Sequence, residues 1–550
     1  MPDDTTAGSV DVVVVGAGIA GLYAIHRLRE QGLSVLCVEA GSGVGGTWFW
    51  NRYPGARCDV ESIDYSYSFD PELEQEWEWS ERYATQPEIL RYLNHVADRY
   101  DLRRSIRFEG RVARAVLDES SGRWTVVLDT GDEIDCRFVV FATGSLSAVR
   151  TPAIPGLADF AGRVLHTARW PHEPVDLAGR RVGVIGTGSS GIQLIPIVAE
   201  QAAHLTVFQR SANYSIPAPN RPHTDESRAE YRAAYPERRK LSRESGGGSP
   251  HFPHPRNTLD VDEAERRRTY EKQWALGGVL FSKAFPDQLH SEEANAPARA
   301  FFEEKVRAVI DDPAVADRLI PRDHPIGSKR ICTDSGYYAT FNRENVSLVD
   351  LRETPIDEIL PAGIRTGEVL HELDDLVFAT GFDALTGALA AIDIRGRDGR
   401  ELRAEWADGP KTYLGLGVAG FPNMFVITGP GSPGVLSNMV LAGEHHVDWV
   451  AETIDHLDAQ GLWGIEPSAE AQESWVQHCA ELAEGTLMVR ANSWYVGANV
   501  PGKPRVFMPY VGGFGRYREV VSTVVEKGYD GFEMRAGPGV EIGPAQPAVG

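Results

Sequence analysis

The apolar residues of this chain gather into short unbroken runs, each stopped by glycine, and not into one alternating or helical period. Asp11-Val12-Val13-Val14-Val15 is brief and β-branched, which predicts a strand buried on both faces. Arg181-Val182-Gly183-Val184-Ile185 repeats the pattern. Each run passes through a glycine-rich turn into a helix-compatible stretch, so the chain is predicted to be α/β, with two β-turn-α units and two parallel-sheet domains. Two further β-rich runs, Phe138 to Phe141 and Leu376 to Phe378, lead into Ala142-Thr143-Gly144 and Ala379-Thr380-Gly381, as strand ends would where a chain crosses between domains. Between about Asn220 and Asp323 the sequence becomes charged and rich in Ala, Glu and Arg, as in Asp262 to Lys272 and Ala298 to Ile310. Its apolar residues fall there at helical spacing, which predicts a helical insertion. Within it, Ser242 to Pro250 has the composition of a mobile loop and, like the acidic Glu72 to Glu81, is expected to be a solvated face. Gly537 to Gly550 reads as a loose tail.

At 550 residues the chain is too long for one core, and two or three packed domains are expected. The 55 Lys and Arg against 78 Asp and Glu give a formal charge of -23, which argues against nucleic acid and anionic lipid partners. The five cysteines (Cys37, Cys58, Cys136, Cys332, Cys479) include no C-x-x-C pair, so neither a disulfide framework nor a zinc knuckle is indicated, and no metal site is expected. Met1 to Ser9 lacks the order of a signal peptide, and no apolar run approaches the ~20 residues of a membrane span. A soluble, cytoplasmic protein is expected, its state as monomer or homo-oligomer open.

The two glycine-rich turns differ in one informative place. Gly16-Ala17-Gly18-Ile19-Ala20-Gly21 follows its strand and precedes a helix, the context in which glycines let a pyrophosphate approach unpaired N–H groups at a helix N-terminus. Glu39 closes the next strand, Ser34 to Val38, where a carboxylate accepts hydrogen bonds from an unphosphorylated ribose. The second turn is Gly186-Thr187-Gly188-Ser189-Ser190-Gly191, and the offset from Gly16 to Glu39 leads here to Gln209, followed by Arg210. Loss of the acid and gain of a guanidinium suit a ribose 2′-phosphate, so this second site should prefer NADPH and the first belongs to FAD.

Longer signatures surround these units. Phe160-Ala161-Gly162-Arg163-Val164-Leu165-His166-Thr167-Ala168-Arg169-Trp170-Pro171 has the spacing F-x-G-x-x-x-H-x-x-x-W-P, and Gly45-Gly46-Thr47-Trp48 through Tyr53-Pro54-Gly55 to Asp59 has G-G-x-W-x-x-x-x-[FY]-P-G-x-x-x-D. Both resemble fingerprints of the type I Baeyer–Villiger monooxygenases. The match continues through Gly327-Ser328-Lys329-Arg330, Ala379 to Asp383, Gly429-Pro430-Gly431-Ser432-Pro433 and Asn492 to Tyr495. Ser242 to Pro250 and Asn213 to Pro217 look most like the steroid and phenylacetone monooxygenase branch.

The resemblance implies two Rossmann-like dinucleotide-binding domains, for FAD and NADPH, with a helical insertion. It divides the chain into an FAD-binding domain (1–145 and 382–550), an NADPH-binding domain (146–217 and 325–381) and the insertion (218–324). The implied reaction inserts one atom of O2 beside the carbonyl of a bulky arylaliphatic, alicyclic or steroidal ketone, through a C4a-peroxyflavin, to give an ester or lactone. By resemblance Arg330 is the cation beside the flavin, Asp59 holds it, and Thr47, Trp48, Trp50, Tyr65 and Met439 contact FAD. Arg57, Thr187 to Gly191, Gln193, Arg210, Lys329 and Trp494 fall on the NADP side. Gly434, Val435 and Leu436 match the loop lining the ketone pocket, with Gly434 standing where a serine is expected. His166 is weighed as a linker histidine against a proton-transfer group, and the linker role is favoured. A disulfide reductase would need a nearby cysteine pair, which the chain lacks. An N- or S-oxygenating flavin monooxygenase is the alternative, and it would not require Arg330.

Overall fold

The computed structural model describes residues 8–537, so all but the first residue of the sequence-assigned tail lies outside the described residues. The valine run behaves as its composition dictates: Ser9–Val15 is a strand whose Val12, Val13 and Val14 are wholly buried. It pairs in parallel with Val35–Val38 on one side and Glu133–Phe141 on the other. Antiparallel strands Val112–Asp118 and Arg123–Leu128 extend this sheet, and two strands from much later in the chain, Asp393–Arg395 and Met424–Val426, complete it.

A second sheet is parallel throughout, in the order Val346–Asp350, His204–Gln209, Arg181–Ile185, Asp375–Phe378, Arg163–His166. The chain thus leaves the first sheet after Phe141, builds the second between Arg163 and Phe378, and returns to the first at Asp393. The two crossings lie side by side. Val149 bridges Phe382, Thr380 Oγ1 donates to the Arg150 carbonyl at 2.9 Å, and His166 fills the joint. His166 Nδ1 accepts from the Ala168 N–H at 3.0 Å, which leaves Nε2 as the donor to the Arg150 carbonyl at 3.1 Å. Burial lowers its pKa, so the ring stands neutral with both nitrogens engaged by the joint.

Helices Asp225–Glu244, Glu263–Leu276, Glu292–Arg307 and Pro313–Leu319 occupy the predicted insertion, each started by a side chain (Thr224, Asp262, Ser291, Asp312) that accepts from a first-turn N–H. One sequence expectation fails here, and that for Glu72 to Glu81 holds only in part. Ser242 and Ser245 are buried, and the Ser242 to Pro250 segment is bound into the protein instead of lying on its surface. The Gly246 carbonyl accepts from Phe514 N–H at 3.0 Å and the Gly247 carbonyl from Asn438 N–H at 3.0 Å. Within Glu72 to Glu81, Glu72, Gln75, Glu76, Glu78 and Ser80 are exposed as expected, whereas Leu73 and Trp79 are core residues. Glu74 there takes the guanidinium of buried Arg239 at 2.7 Å, while Arg239 also donates to Ser66 Oγ and to the Asp64 and Tyr67 carbonyls. Composition cannot register such a partner, because it comes from 165 residues away.

Helix Met439–Ala459 packs on Ile19–Glu30 and carries His446 inward. His446 Nδ1 accepts from Thr428 N–H at 3.1 Å, so Nε2 carries the proton toward Tyr517 Oη, 2.8 Å away, and Tyr517 donates onward to the Leu414 carbonyl. Burial pushes this imidazole down to about 3, and that of the adjacent His445 likewise to about 3. A depressed histidine gives stability that is present above the unfolded-state pKa near 6.5 and is lost as pH falls below it. The melting temperature should therefore fall on acidification from pH 7 to pH 5, with a contribution of about 1.4 kcal/mol per pH unit from each such ring. In His446→Gln the melting temperature should be lower at pH 7 yet change less per pH unit; an unchanged slope would remove His446 as a source of acid sensitivity.

Candidate active site

The first glycine turn is shaped by close approach. Gly16 sits at φ +104°, and a Cβ there would stand 2.8 Å from the Ala142 carbonyl oxygen; one on Gly21 would overlap the Gly16 carbonyl. The helix Ile19–Glu30 begins at Gly18 with no side-chain cap, which leaves its first N–H groups for an anion. Glu39 is 5% exposed, with Oε2 accepting from Ala17 N–H at 2.8 Å and Oε1 from Gly41 N–H at 2.7 Å. It braces the loop and leaves each carboxylate oxygen with further accepting capacity. Thr47, Trp48 and Trp50 lie on the short helix Thr47–Trp50, and Trp48 Nε1 donates to Tyr65 Oη at 3.2 Å. The Gly45 N–H donates to the Ala17 carbonyl at 2.9 Å, which holds the segment leading into this helix against the first turn.

The second turn repeats the geometry. Gly186 has φ +111°, with a Cβ position 2.5 Å from the Ala379 carbonyl oxygen, and a Cβ on Gly188 would meet nothing within 4 Å. Open space at Gly188, before an uncapped helix Ser189–Gln201, is the cradle a pyrophosphate needs. Thr187 is tied by its hydroxyl to the Ser211 carbonyl at 3.0 Å, while Ser189 and Ser190 stay half-buried at the helix start and Gly191 packs under it. Gln209 is wholly buried and donates to the Arg318 carbonyl at 2.8 Å, so it faces the protein interior. Arg210 is exposed and Lys329 half-buried, and neither forms an ion pair among the described residues. The Lys329 pKa is lowered by burial and by Arg210, against Asp323. Asp323 acts on Lys329 more strongly than Arg210 does, so the two cations, free of direct ion pairs among the described residues, would receive an anion with one carboxylate close by.

Gln193 joins the two halves. Its Oε1 accepts from Tyr53 Oη at 2.8 Å, and its Nε2 donates to the Arg57 carbonyl at 3.1 Å. Gly55, at φ +84°, lets this loop lie against the helix, since a Cβ would overlap the Gln193 carbonyl. The Tyr-Pro-Gly of the fingerprint thereby has a physical reason. Asp59 follows on the same loop.

Arg330 meets Asp59 in a two-pronged ion pair, Nε to Oδ2 at 2.8 Å and Nη2 to Oδ1 at 2.9 Å, while Nη1 donates to the Val435 carbonyl at 2.7 Å. Burial opposes the arginine's charge, and Asp59 more than offsets this, so its pKa rises above the ordinary value. The side chains remain 28% and 17% accessible. Val435 belongs to an apolar cluster with Leu436, Met439, Trp494 and Tyr495, and Leu146, Leu289 and Phe507 pack against it. Gly434 sits at φ +40°, which strains a side chain there. The tertiary structure therefore brings Asp59, Arg330, Val435, Leu436, Met439 and Trp494 into one connected cluster. Tyr495, 4.3 Å ring to ring from Trp494, and Asn438, whose Nδ2 donates to the Asp64 carbonyl at 2.6 Å, were missed by the sequence reading. Their positions next to Trp494 and Met439 were the available signal. Among the described residues no group of three or more His, Cys, Asp or Glu side chains could hold a metal.

A family model described as pyridine nucleotide-disulphide oxidoreductase matches residues 10–233. All five cysteines are free and buried, so the match reports the dinucleotide-binding framework and not a disulfide centre. A Baeyer–Villiger monooxygenase of Pseudooceanicola batsensis is 44% identical, with 96% of each chain covered. The chain belongs to the Baeyer–Villiger monooxygenases. A solved steroid monooxygenase bound to NADP is 65% identical, with a TM-score of 0.93 over 96% of this chain and 100% of that one. A phenazine N-monooxygenase of Lysobacter antibioticus is 41% identical over 96% of this chain and 97% of its own. Like its family, this monooxygenase is an α/β flavoenzyme that uses FAD and NADPH. No helix among the described residues is long and apolar enough to cross a membrane.

Arg210→Ala should raise KM for NADPH by about 10- to 100-fold with little change for NADH, from the loss of charged hydrogen bonds worth about 1.5–3 kcal/mol each. Steady-state kinetics with both coenzymes reads this, and an equal rise for the two would place Arg210 away from the 2′-phosphate.

Proposed function

We propose that this Baeyer–Villiger monooxygenase acts on bulky arylaliphatic, alicyclic or steroidal ketones, with Arg330 as its electrophilic catalyst and Asp59 as the group that sets Arg330. The overall conversion is ketone plus O2, NADPH and a proton to ester or lactone, NADP+ and water. When bound, reduced FAD supplies the electrons that activate O2 and delivers one oxygen atom. The protein's part is electrostatic. Three of the five guanidinium N–H groups of Arg330 are taken by Asp59 and Val435, which leaves two for negative charge developing on oxygen in the cleft. That immobilised but incompletely satisfied guanidinium carries the reading. The Val435 contact also links it to the loop that bears the ketone-side residues, so the cation and the apolar wall move together. The apolar walls from Leu146, Leu436 and Phe507 exclude water, which strengthens the interaction.

The remaining assignments follow from position. Gly16, Gly18, Gly21, Glu39, Thr47, Trp48, Trp50, Tyr65 and Met439 would hold FAD; Arg57, Thr187 to Gly191, Gln193, Arg210, Lys329 and Trp494 would hold NADPH. The domain division inferred from sequence is kept as part of this proposal, supported by the strand pairings. Cytoplasmic location is supported by five unpaired thiols. The 65%-identical steroid monooxygenase supports a bulky substrate. Heteroatom oxygenation is the second reading, supported by the phenazine N-monooxygenase relative. A nucleophilic nitrogen has no carbonyl to polarise and makes less use of Arg330.

In Arg330→Ala, ester formation from a ketone such as 4-phenyl-2-butanone should fall by about 10²–10³, the usual cost of removing one charge-stabilising donor. NADPH oxidation should fall less, with hydrogen peroxide replacing the ester. Product mass and peroxide assay decide it: ester at near-parent yield would remove Arg330 from catalysis.

A further inference from the structure

Lys283 ends the short 3-10 helix Gly278–Lys283, and among the described residues it has neither a hydrogen-bond nor an ion-pair partner. One contact of its own and two of nearby residues locate it. Its Nζ lies 3.1 Å from the point where a Cβ on Gly247 would stand, so the ammonium rests on the Gly246 to Gly248 turn. The Gly247 carbonyl holds Asn438 N–H, and Asn438 directly precedes Met439 at the end of the segment that carries Val435 and Leu436. The neighbouring Ser282 Cβ lies 2.8 Å from the Cβ position of Gly327, three residues before Arg330. Leu289, just beyond, packs into the apolar cluster of Val435 and Leu436.

The side chain is accessible by surface area, yet burial, with Arg330, lowers its pKa. Its surface is therefore open to solvent on one side, while the protein and the Arg330 charge lie on the other. The charge balance there is uneven. Arg330 is neutralised by Asp59, whereas Lys283 faces no carboxylate within 4 Å among the described residues. An uncompensated ammonium partly withdrawn from water is stabilised by an anion and disfavours a purely hydrocarbon neighbour.

We propose that Lys283 is a specificity-determining residue that binds a carboxylate carried by the ketone at a distance from its carbonyl, so that keto acids are a preferred substrate class. This rests on the Baeyer–Villiger reading of the cleft and adds to it a second anchoring point. Arg330 serves the reacting carbonyl, and Lys283 fixes the other end of the molecule in an apolar pocket that by itself selects only for size.

The test uses 4-(4-carboxyphenyl)-2-butanone and its methyl ester, which share a reacting ketone and differ in charge. In the parent enzyme kcat/KM for the acid should exceed that for the methyl ester. In Lys283→Met the acid-to-ester ratio should fall by about 10- to 100-fold, the range of one charged hydrogen bond, and Lys283→Arg should restore most of it. Calorimetric binding of the acid to enzyme holding FAD and NADP+ should weaken in parallel in Lys283→Met. An unchanged ratio, or acid and ester losing equally, overturns the role of Lys283. Failure of the parent to oxygenate either ketone would instead overturn the proposed bulky-ketone specificity, and the calorimetric arm would still report on Lys283.

Discussion

Everything at the cleft depends on keeping one guanidinium charged and still in a partly dry place. Removing an arginine from water is costly unless a carboxylate and further acceptors meet it. Asp59 does so from 271 residues away in sequence and the Val435 carbonyl from 105 residues away. Three separate segments must therefore converge before Arg330 can occupy its position. The turn at Gly327, the buried Ser328 and the short pairing of Cys332–Asp334 with Ser215–Pro217 bring in the arginine. Gly55 and Gln193 bring in the aspartate by pinning its loop to the second sheet's first helix. The ion pair is thus both a chemical group and a record of correct assembly.

The cations of the molecule divide by whether a carboxylate answers them. Arg330 and Arg239 are matched inside the protein, by Asp59 and Glu74, and hold fixed geometry. Arg210 and Lys329 form no ion pair among the described residues, and Lys329 feels the Asp323 carboxylate more than the Arg210 guanidinium. Matched cations position and unmatched ones recruit, because desolvated charge finds its partner either in the fold or in a ligand. The same logic separates the two glycine turns, whose backbones are nearly identical but whose flanking charges are opposite: Glu39 beside one and Arg210 beside the other.

The site was unevenly legible from sequence. Gly16, Gly21, Gly186 and Gly191 could be placed because their reason is local: backbone atoms pass too close for a Cβ. Glu39 was legible because it sits at a set offset along a regular βαβ unit. Gln209 shares that offset yet turns inward to Arg318, since an uncharged amide in a buried strand end is captured by whichever carbonyl is nearest. The Gly/Ser-rich segment after Ser242 was misjudged for a related reason. Glycine and serine indicate a turn, but whether a turn is solvated depends on what packs over it, here Asn438 and Phe514.

By itself the sequence determined the two parallel-sheet units, the glycine turns and the helical insertion, because these follow from short-range periodicity and from residues whose spacing is set by one strand and one helix, while its two long fingerprints carried the resemblance to a flavin monooxygenase family. Only the tertiary structure decided that Asp59, Arg330 and Val435 share a single group, that His166 is engaged on both nitrogens by the crossing strands, and that Lys283 rests on the Gly246 to Gly248 turn with no partner among the described residues. Those facts depend on burial and on partners hundreds of residues apart, and electrostatic free energy in a low-dielectric cleft depends on distance in space, about which order along the chain carries no information.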